Sequence, residues 1–250
     1  MRYSFIFLSF VLTFLCSCNS NKTIITNVNS AAIPLDISTN VYADANYLQY
    51  LEPIKKQLDE QMNVVIGYAP ESMIKQRPEC SLTNFACEAY LATAENFLGQ
   101  KIDIAINNFG GLRTNIAAGN VTNRTIYELM PFDNQLVIVW LKGSYLKELI
   151  EFYALVKGEG LLGIRFTIKN QKAQNITVNG KEIDPDYIYS IVTNDYCAAG
   201  NDGMFALAKY EKIIDTGYTV RDITLNYVKT LTAKGKPVSA AVDGRISIEQ

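Results

Sequence analysis

The sequence contains no histidine. Without an imidazole, a Ser-His-Asp triad, a Cys-His pair and the histidine-rich zinc and di-metal centres of many hydrolases cannot be built. An all-carboxylate metal site or a carboxylate dyad survives that exclusion. A dominant charge is lacking too: 23 Lys and Arg stand against 25 Asp and Glu, for a net charge of −2. No basic patch occurs, so a nucleic-acid polymer is not an expected partner. Small anions stay open, because one or two local arginines suffice to bind them. The apolar run from Phe5 to Leu15 is too short and too early for a comfortable membrane span.

What is present fits a folded chain. At 250 residues, 48% hydrophobic and 19% charged, it suits one domain with a tail and can bury a large core. At the N-terminus, Arg2 precedes the apolar run, which ends in Leu15-Cys16-Ser17-Cys18 and is followed by polar Asn19-Ser20-Asn21. This pattern reads as a secretory signal, and the tetrad resembles a bacterial lipoprotein signal. The resemblance implies cleavage before Cys18 and acylation of that cysteine, hence a cell-envelope protein anchored through lipid on the periplasmic side or the cell surface. An ordinary signal peptide that happens to hold two cysteines is the alternative. The expected division is a signal over residues 1–17, a tether over 18–40 and a folded domain over 41–250.

The remaining cysteines are Cys80, Cys87 and Cys197. Cys80 and Cys87 fall seven apart at the start of an expected helix. Two helical turns separate them by about 10 Å, too far for a disulfide, so packing thiols are expected.

Periodicity predicts helices at about Asn46–Gln61, with Leu48, Leu51, Ile54 and Leu58 on one stripe, at Ser81–Leu98, at Gly143–Leu155 and at Val220–Leu231. Ser81 is the expected cap of the second, with Leu82, Phe85, Ala86, Ala89, Thr93, Asn96 and Phe97 on one face. Gly99 ends it. Asn123 is the expected cap of a short helix reaching Met130. Strands are expected at Val64–Tyr68, Asp103–Ile106, Gln135–Leu141, Gly163–Ile168, Gln174–Val178, Tyr187–Thr193 and Asp243–Ile248, with a hairpin turn at Asn179-Gly180. Helices and strands alternate irregularly, which places the chain in the α+β class with mixed sheets flanked by helices.

Two loops concentrate polar chemistry behind apolar strands. In the first, Asn107-Asn108-Phe109-Gly110-Gly111 precedes Arg113, and the stretch exits through Pro131-Phe132-Asp133-Asn134. Glycine lets backbone approach a ligand. Arg113 offers a planar fork to a phosphate or carboxylate. Asn108 has the donor and acceptor that suit a base edge. Glycine pairs also mark plain turns, and on that reading Phe132 is core. The second loop, Asn194 to Gly203, adds an aromatic face at Tyr196 and a carboxylate at Asp202 suited to ribose hydroxyls. Two aromatics, an arginine, an asparagine and an aspartate make up a nucleoside-phosphate site in which the rings sandwich the base. Asp184-Pro185-Asp186 reads as a turn, and no nucleophile, base or metal cluster meets the requirements of autonomous hydrolysis.

Asn108-x-Gly-Gly-x-Arg113, Pro131-Phe132-x-Asn134, Leu141-Lys-Gly143 and Tyr196 to Asp202, in that order, resemble the C-terminal domain of 5′-nucleotidases, over about Tyr47 to Ile248. The resemblance implies a nucleotide-binding domain. Phe132 and Tyr196 would be the stacking pair, with tyrosine where the family usually has phenylalanine. Asp202 would hold the ribose and Arg113 the phosphate. Asn108 and Asn134 would make polar contacts at or near the base, and the Gly163 backbone would lie beside it. The family usually has another arginine shortly before the helix that starts at Ser81; Arg77 is near but out of register. The family's metallophosphoesterase domain, with two metals and a histidine-containing dyad, has no counterpart among these 250 residues. The expectation is therefore the nucleotide- or nucleoside-binding half of a split 5′-nucleotidase. It needs no cofactor of its own, and a separate metallophosphoesterase protein supplies divalent metals and phosphate-ester hydrolysis. A nucleoside-capturing envelope lipoprotein with no catalytic partner, and a degenerate domain kept for protein contacts, are the alternatives.

Overall fold

The structure, a computed structural model, describes residues 25–32 and 44–249. The expected signal segment and Cys18 lie outside the described residues. The chain divides into two units at Leu48/Gln49. In the first, residues 25–32 are exposed and carry no regular structure.

Helix α1, Ala45–Met62, crosses that boundary. Its apolar stripe lies open: Ile54 and Leu58 are about half exposed, and no residue of the helix is buried. The 3.6-residue period was read correctly as helix, but nothing among the described residues covers its apolar side. Polar contacts hold its C-terminal end instead. Arg124 pairs with Asp59 at 2.5 Å, and the Asn123 amide donates to the Gln61 carbonyl at 2.9 Å.

The second unit is built on a five-stranded mixed sheet. Its strands are β2 (Ile104–Asn107), β4 (Gln135–Lys142), β5 (Gly160–Leu162), β9 (Ile188–Asn194) and β10 (Lys212–Thr219), in the order β10-β4-β9-β2-β5. β9 and β2 run parallel, and every other pair is antiparallel. The central strands β4, β9 and β2 are buried on both sides because both faces are covered. On β4, Leu136 and Ile138 enter one core while Val137, Val139 and Leu141 enter the other; on β2, Ala105 parts from Ile104 and Ile106 in the same way. The first core is closed by α2 (Ser81–Leu98) and by the helix that follows β10. The second is closed by α4 (Gly143–Leu155) and a four-stranded sheet. That sheet holds β6 (Ile164–Lys169), β7 (Lys172–Val178), β8 (Lys181–Glu182) and β11 (Ile246–Ile248), in the order β11-β6-β7-β8. Asn179 and Gly180 both take positive φ at the β7–β8 turn, the conformation expected of that dipeptide. A two-stranded ribbon of β1 (Val65–Ala69) and β3 (Gly119–Thr122), helix α3 (Asn123–Leu129), the one-turn helix α5 (Asp195–Ala198) and helix α6 (Val220–Ala233) complete the fold. The class is α+β with mixed sheets flanked by helices, as expected.

Local details correct the sequence reading. The cap of α2 is Cys80, whose Sγ accepts from the Thr83 amide at 3.5 Å, so Ser81 is already helical. The cap of α3 is Thr122, in a reciprocal capping box with Thr125, rather than Asn123. On α2, Leu82, Phe85, Ala86 and Ala89 are buried as predicted. Asn96 and Phe97 are exposed, and Phe97 stacks edge-on against Tyr218 at the surface. Strand β10 was not anticipated, because Asp215, Thr216 and Gly217 interrupt its alternation. Cys80, Cys87 and Cys197 are free and buried. Burial pushes the Cys197 thiol up to about 12, so it is no reactive thiolate at neutral pH.

Candidate functional site

Strand direction brings the predicted segments together. β2 and β9 are parallel, so the loops after Asn107 and after Asn194 leave the sheet at the same end. β4 runs antiparallel to β9, with Leu136 opposite Asn194, so the residues just before β4 lie at that end too. The carboxyl end of parallel strands is a common ligand position in α/β sheets. Here it forms a cavity of about 470 Å³ lined by Asn108, Gly110, Gly111, Arg113, Phe132, Asp133, Asn134, Tyr196 and Asp202. Six of the seven predicted ligand residues therefore share one cavity.

Gly163 is the exception. It joins β5 to β6 with φ +88, and a Cβ there would meet the Asp103 carbonyl at 2.1 Å. Backbone packing accounts for this glycine, and it does not line the cavity.

The first loop is shaped by its own amide. After β2 the chain makes a 3₁₀ turn over Phe109–Gly111. Buried Asn108 turns its side chain across this turn, donating from Nδ2 to Asp202 Oδ2 at 2.8 Å and accepting at Oδ1 from Asn194 Nδ2 at 3.2 Å. A Cβ at Gly111 would sit 2.7 Å from that Oδ1, so the glycine makes room for the asparagine. Leu112 is buried, which turns the next residue, Arg113, to the surface. Its backbone amide donates to the Leu129 carbonyl at 2.9 Å, and its guanidinium lies 5.8 Å from the Phe132 ring centre. No carboxylate among the described residues pairs with the Arg113 guanidinium.

Phe132 is 47% exposed and Tyr196 40%. These values exclude the core reading of Phe132: both rings keep a face for a ligand. Asn134 Nδ2 donates to Asp195 Oδ1 at 2.9 Å, tying the segment before β4 to α5. Asp202 sits at φ 53, a left-handed conformation that aspartate tolerates. Its Oδ1 accepts from the Tyr196 hydroxyl at 2.9 Å. That bond to the carboxylate holds the phenol above its usual pKa, so Tyr196 stays a neutral donor. Asp195 serves the loop, accepting from the Tyr196 amide as well as from Asn134. Asp184 accepts from the Asp186 amide, as the turn reading requires. Beneath Phe132, a small recess is lined by buried amides, among them Asn107, Asn108 and Asn194, and by Tyr90.

Two residues, Lys75 and Glu159, escaped the sequence reading of the site, and a third, Arg77, lies beside the first loop although that reading set it out of register. Lys75 and Arg77 both lie against the Phe109 ring, at 4.2 and 4.4 Å from its centre. Arg77 also pairs with buried Glu159 at 2.5 Å, and Glu159 accepts from the Phe109 amide. Burial raises the Glu159 carboxyl above the ordinary carboxylate range, against the opposing effects of the Phe109 amide and Arg77. Burial and then the charge of Arg113 lower the Lys75 ammonium, so the cations of this loop act on one another. Glu159 reaches the site because Gly160 pairs with Asn107 across β5 and β2; its separation from Arg77 by 82 positions left no local signal. A larger groove of about 580 Å³ lies between α2 and α6. Lys234 is the only charged residue among those lining it, which offers little specific ligand chemistry.

Among the described residues no group of three or more His, Cys, Asp or Glu is placed to hold a metal. With no histidine in the sequence, the donor set does not fit the two-metal centre that the family resemblance implies.

Fold and site together define an α+β domain of mixed sheets flanked by helices, with one polar cavity at the end of its central sheet. The chain belongs to the 5′-nucleotidase C-terminal domain family, whose model matches residues 65–209. It is 30% identical over 239 residues to the trifunctional nucleotide phosphoesterase protein YfkN of Bacillus subtilis, covering 87% of this chain and 16% of that protein. It is 25% identical over 228 residues to a 5′-nucleotidase of Vibrio parahaemolyticus, covering 89% of this chain and 40% of that protein. Among solved structures, a 5′-nucleotidase precursor from Thermus thermophilus superposes with a TM-score of 0.69 at 26% identity, covering 81% of this chain and 42% of the other. The chain thus spans less than half the length of these relatives.

Proposed function

We propose that this domain binds the nucleoside part of a nucleotide and presents its phosphate to a separate metallophosphoesterase, as one half of a split 5′-nucleotidase. The observation that carries the reading is the convergence of two half-exposed rings, one carboxylate and one unpaired arginine on a single cavity. Phe132 and Tyr196 stack on the base, Asp202 accepts from the ribose, and Arg113 takes the phosphate, with Asn108 and Asn134 fixing the two loops. The names of the relatives, nucleotide phosphoesterase and 5′-nucleotidase, support this substrate class. The absence of histidine from the sequence supports placing metals and chemistry in the partner.

Titration calorimetry of the purified domain with adenosine and with AMP tests the binding step. AMP is expected to bind more tightly than adenosine, and Arg113→Ala to erase the difference while leaving adenosine affinity within about twofold, because a bidentate arginine contact serves the phosphate alone. Heat changes indistinguishable from dilution for both ligands would reject the reading.

The same proposal places the protein at the cell envelope, tethered through acylated Cys18. Labelled palmitate is expected in the wild-type chain and in the membrane fraction. Cys18→Ala should remove the label and shift the chain out of that fraction. Equal membrane retention of both would exclude the lipid anchor.

A further inference from the structure

We propose that the Tyr196 hydroxyl is a specificity-determining group that makes this pocket select a sugar with an intact vicinal diol. The proposal rests on the nucleoside reading above and concerns what tyrosine adds at this position beyond a ring.

The carboxylate of Asp202 receives two protein donors, one on each oxygen. Asn108 Nδ2 bonds Oδ2 at 2.8 Å, and the Tyr196 hydroxyl bonds Oδ1 at 2.9 Å. A carboxylate offers about four lone-pair sites, two per oxygen. One donor on each oxygen leaves one acceptor site on each, side by side, which is the pair that two adjacent sugar hydroxyls need.

Orientation follows from where the two donors sit. The terminal torsion of an aspartate is broad and two-fold, so a carboxylate held at one oxygen still swings. Asp202 itself is exposed, in a short turn between Gly200 and Gly203, and packing does not hold its side chain. Asn108 reaches it from the first loop and is buried, anchored in turn by Asn194. Tyr196 reaches it from the second loop, anchored by Asp195 at its amide and by Asn201 at its carbonyl. Two donors from separate segments fix the carboxylate plane, and preorganisation of this kind favours the ligand that uses both oxygens. The bond persists across the physiological range, since the carboxylate holds the phenol in its neutral, donating form.

Phenylalanine at this position keeps the stacking face and removes the only hydrogen bond that Oδ1 receives among the described residues. The carboxylate then retains a single tether through Oδ2. A sugar lacking the 2′- or the 3′-hydroxyl uses one oxygen only and gains little from the fixed plane. The hydroxyl therefore acts on the ratio between sugars more than on affinity as such.

The test uses the whole domain and titration calorimetry. Adenosine, guanosine, cytidine and uridine are compared on the wild type, and the tightest is carried forward with its 2′-deoxy and 3′-deoxy forms. The wild type is expected to prefer the ribonucleoside about tenfold over either deoxy form, as a hydrogen bond to a charged group warrants. Tyr196→Phe should bind the deoxy forms within about twofold of wild type while the ribo preference falls to about twofold. Tyr196→Leu, which removes the ring as well as the hydroxyl, should lower affinity for all three sugars and show the same reduced ribo preference as Tyr196→Phe. A wild type without sugar preference, or a Tyr196→Phe variant whose preference is unchanged or larger, overturns this inference and leaves the nucleoside reading standing. Failure of the wild type to bind any of the four nucleosides overturns both.

Discussion

Phe132→Ala is expected to lower nucleoside affinity by about 5- to 150-fold, the range that corresponds to one stacked base at 1–3 kcal/mol. The size of the effect follows from the ring's position. Phe132 is half exposed at the mouth of the cavity, with the Arg113 guanidinium beside it. Truncating it removes ligand contact area without opening a hole in either core, so the melting temperature should barely move. Surface changes of this kind stay within about 0.5 kcal/mol. Phe85→Ala is the contrasting control. Phe85 is fully buried between α2 and α6, and its truncation should cost about 3–5 kcal/mol of stability, with affinity retained in whatever fraction stays folded. Calorimetry and thermal unfolding on the two variants separate a binding ring from a packing ring. Nucleoside affinity of Phe132→Ala within twofold of wild type would remove the aromatic clamp from the site.

How much of this was legible beforehand depends on whether a residue's role is set by its neighbours in sequence or by strand topology. Phe132, Tyr196, Arg113 and Asp202 were legible because each sits in a polar loop right beside an apolar strand. Such strands are buried on both sides, so the loops must emerge at sheet ends. Lys75 and Glu159 were not, and Arg77 was noticed but set out of register. Each comes from a segment linked to the site by contacts across the fold, among them the pairing of Gly160 with Asn107 and contacts with the Phe109 ring. Gly163 was misplaced for a related reason: a glycine required by a close backbone approach, here to the Asp103 carbonyl, carries the same letter as one required by a ligand. Helix α1 shows the limit in the other direction. Its apolar period was plain, but a period states that one side of a helix is apolar and leaves open what covers it. Ile54 and Leu58 meet no cover among the described residues, although an apolar stripe of this kind ordinarily seeks a partner.

The largest expected effect is on turnover. The purified chain, with magnesium, manganese or zinc added, should release no phosphate from AMP, and adding a cognate metallophosphoesterase should restore turnover from a blank background. The reasoning is one of chemical supply. Hydrolysis of a phosphate monoester needs an activated water and a means of spreading charge over the phosphoryl oxygens, roles filled by metal ions or positioned acid–base groups. The cavity offers Arg113 for charge, but its two carboxylates already have protein partners: Asp202 holds Asn108 and Tyr196, and Asp133 pairs with Arg221. On the proposed division of labour, binding by this chain contributes by holding the scissile phosphate in place for chemistry done elsewhere, which accelerates a reaction only when the partner's groups are aligned with it. Phosphate release by the chain alone, lost on Asp202→Asn, would overturn the division of labour.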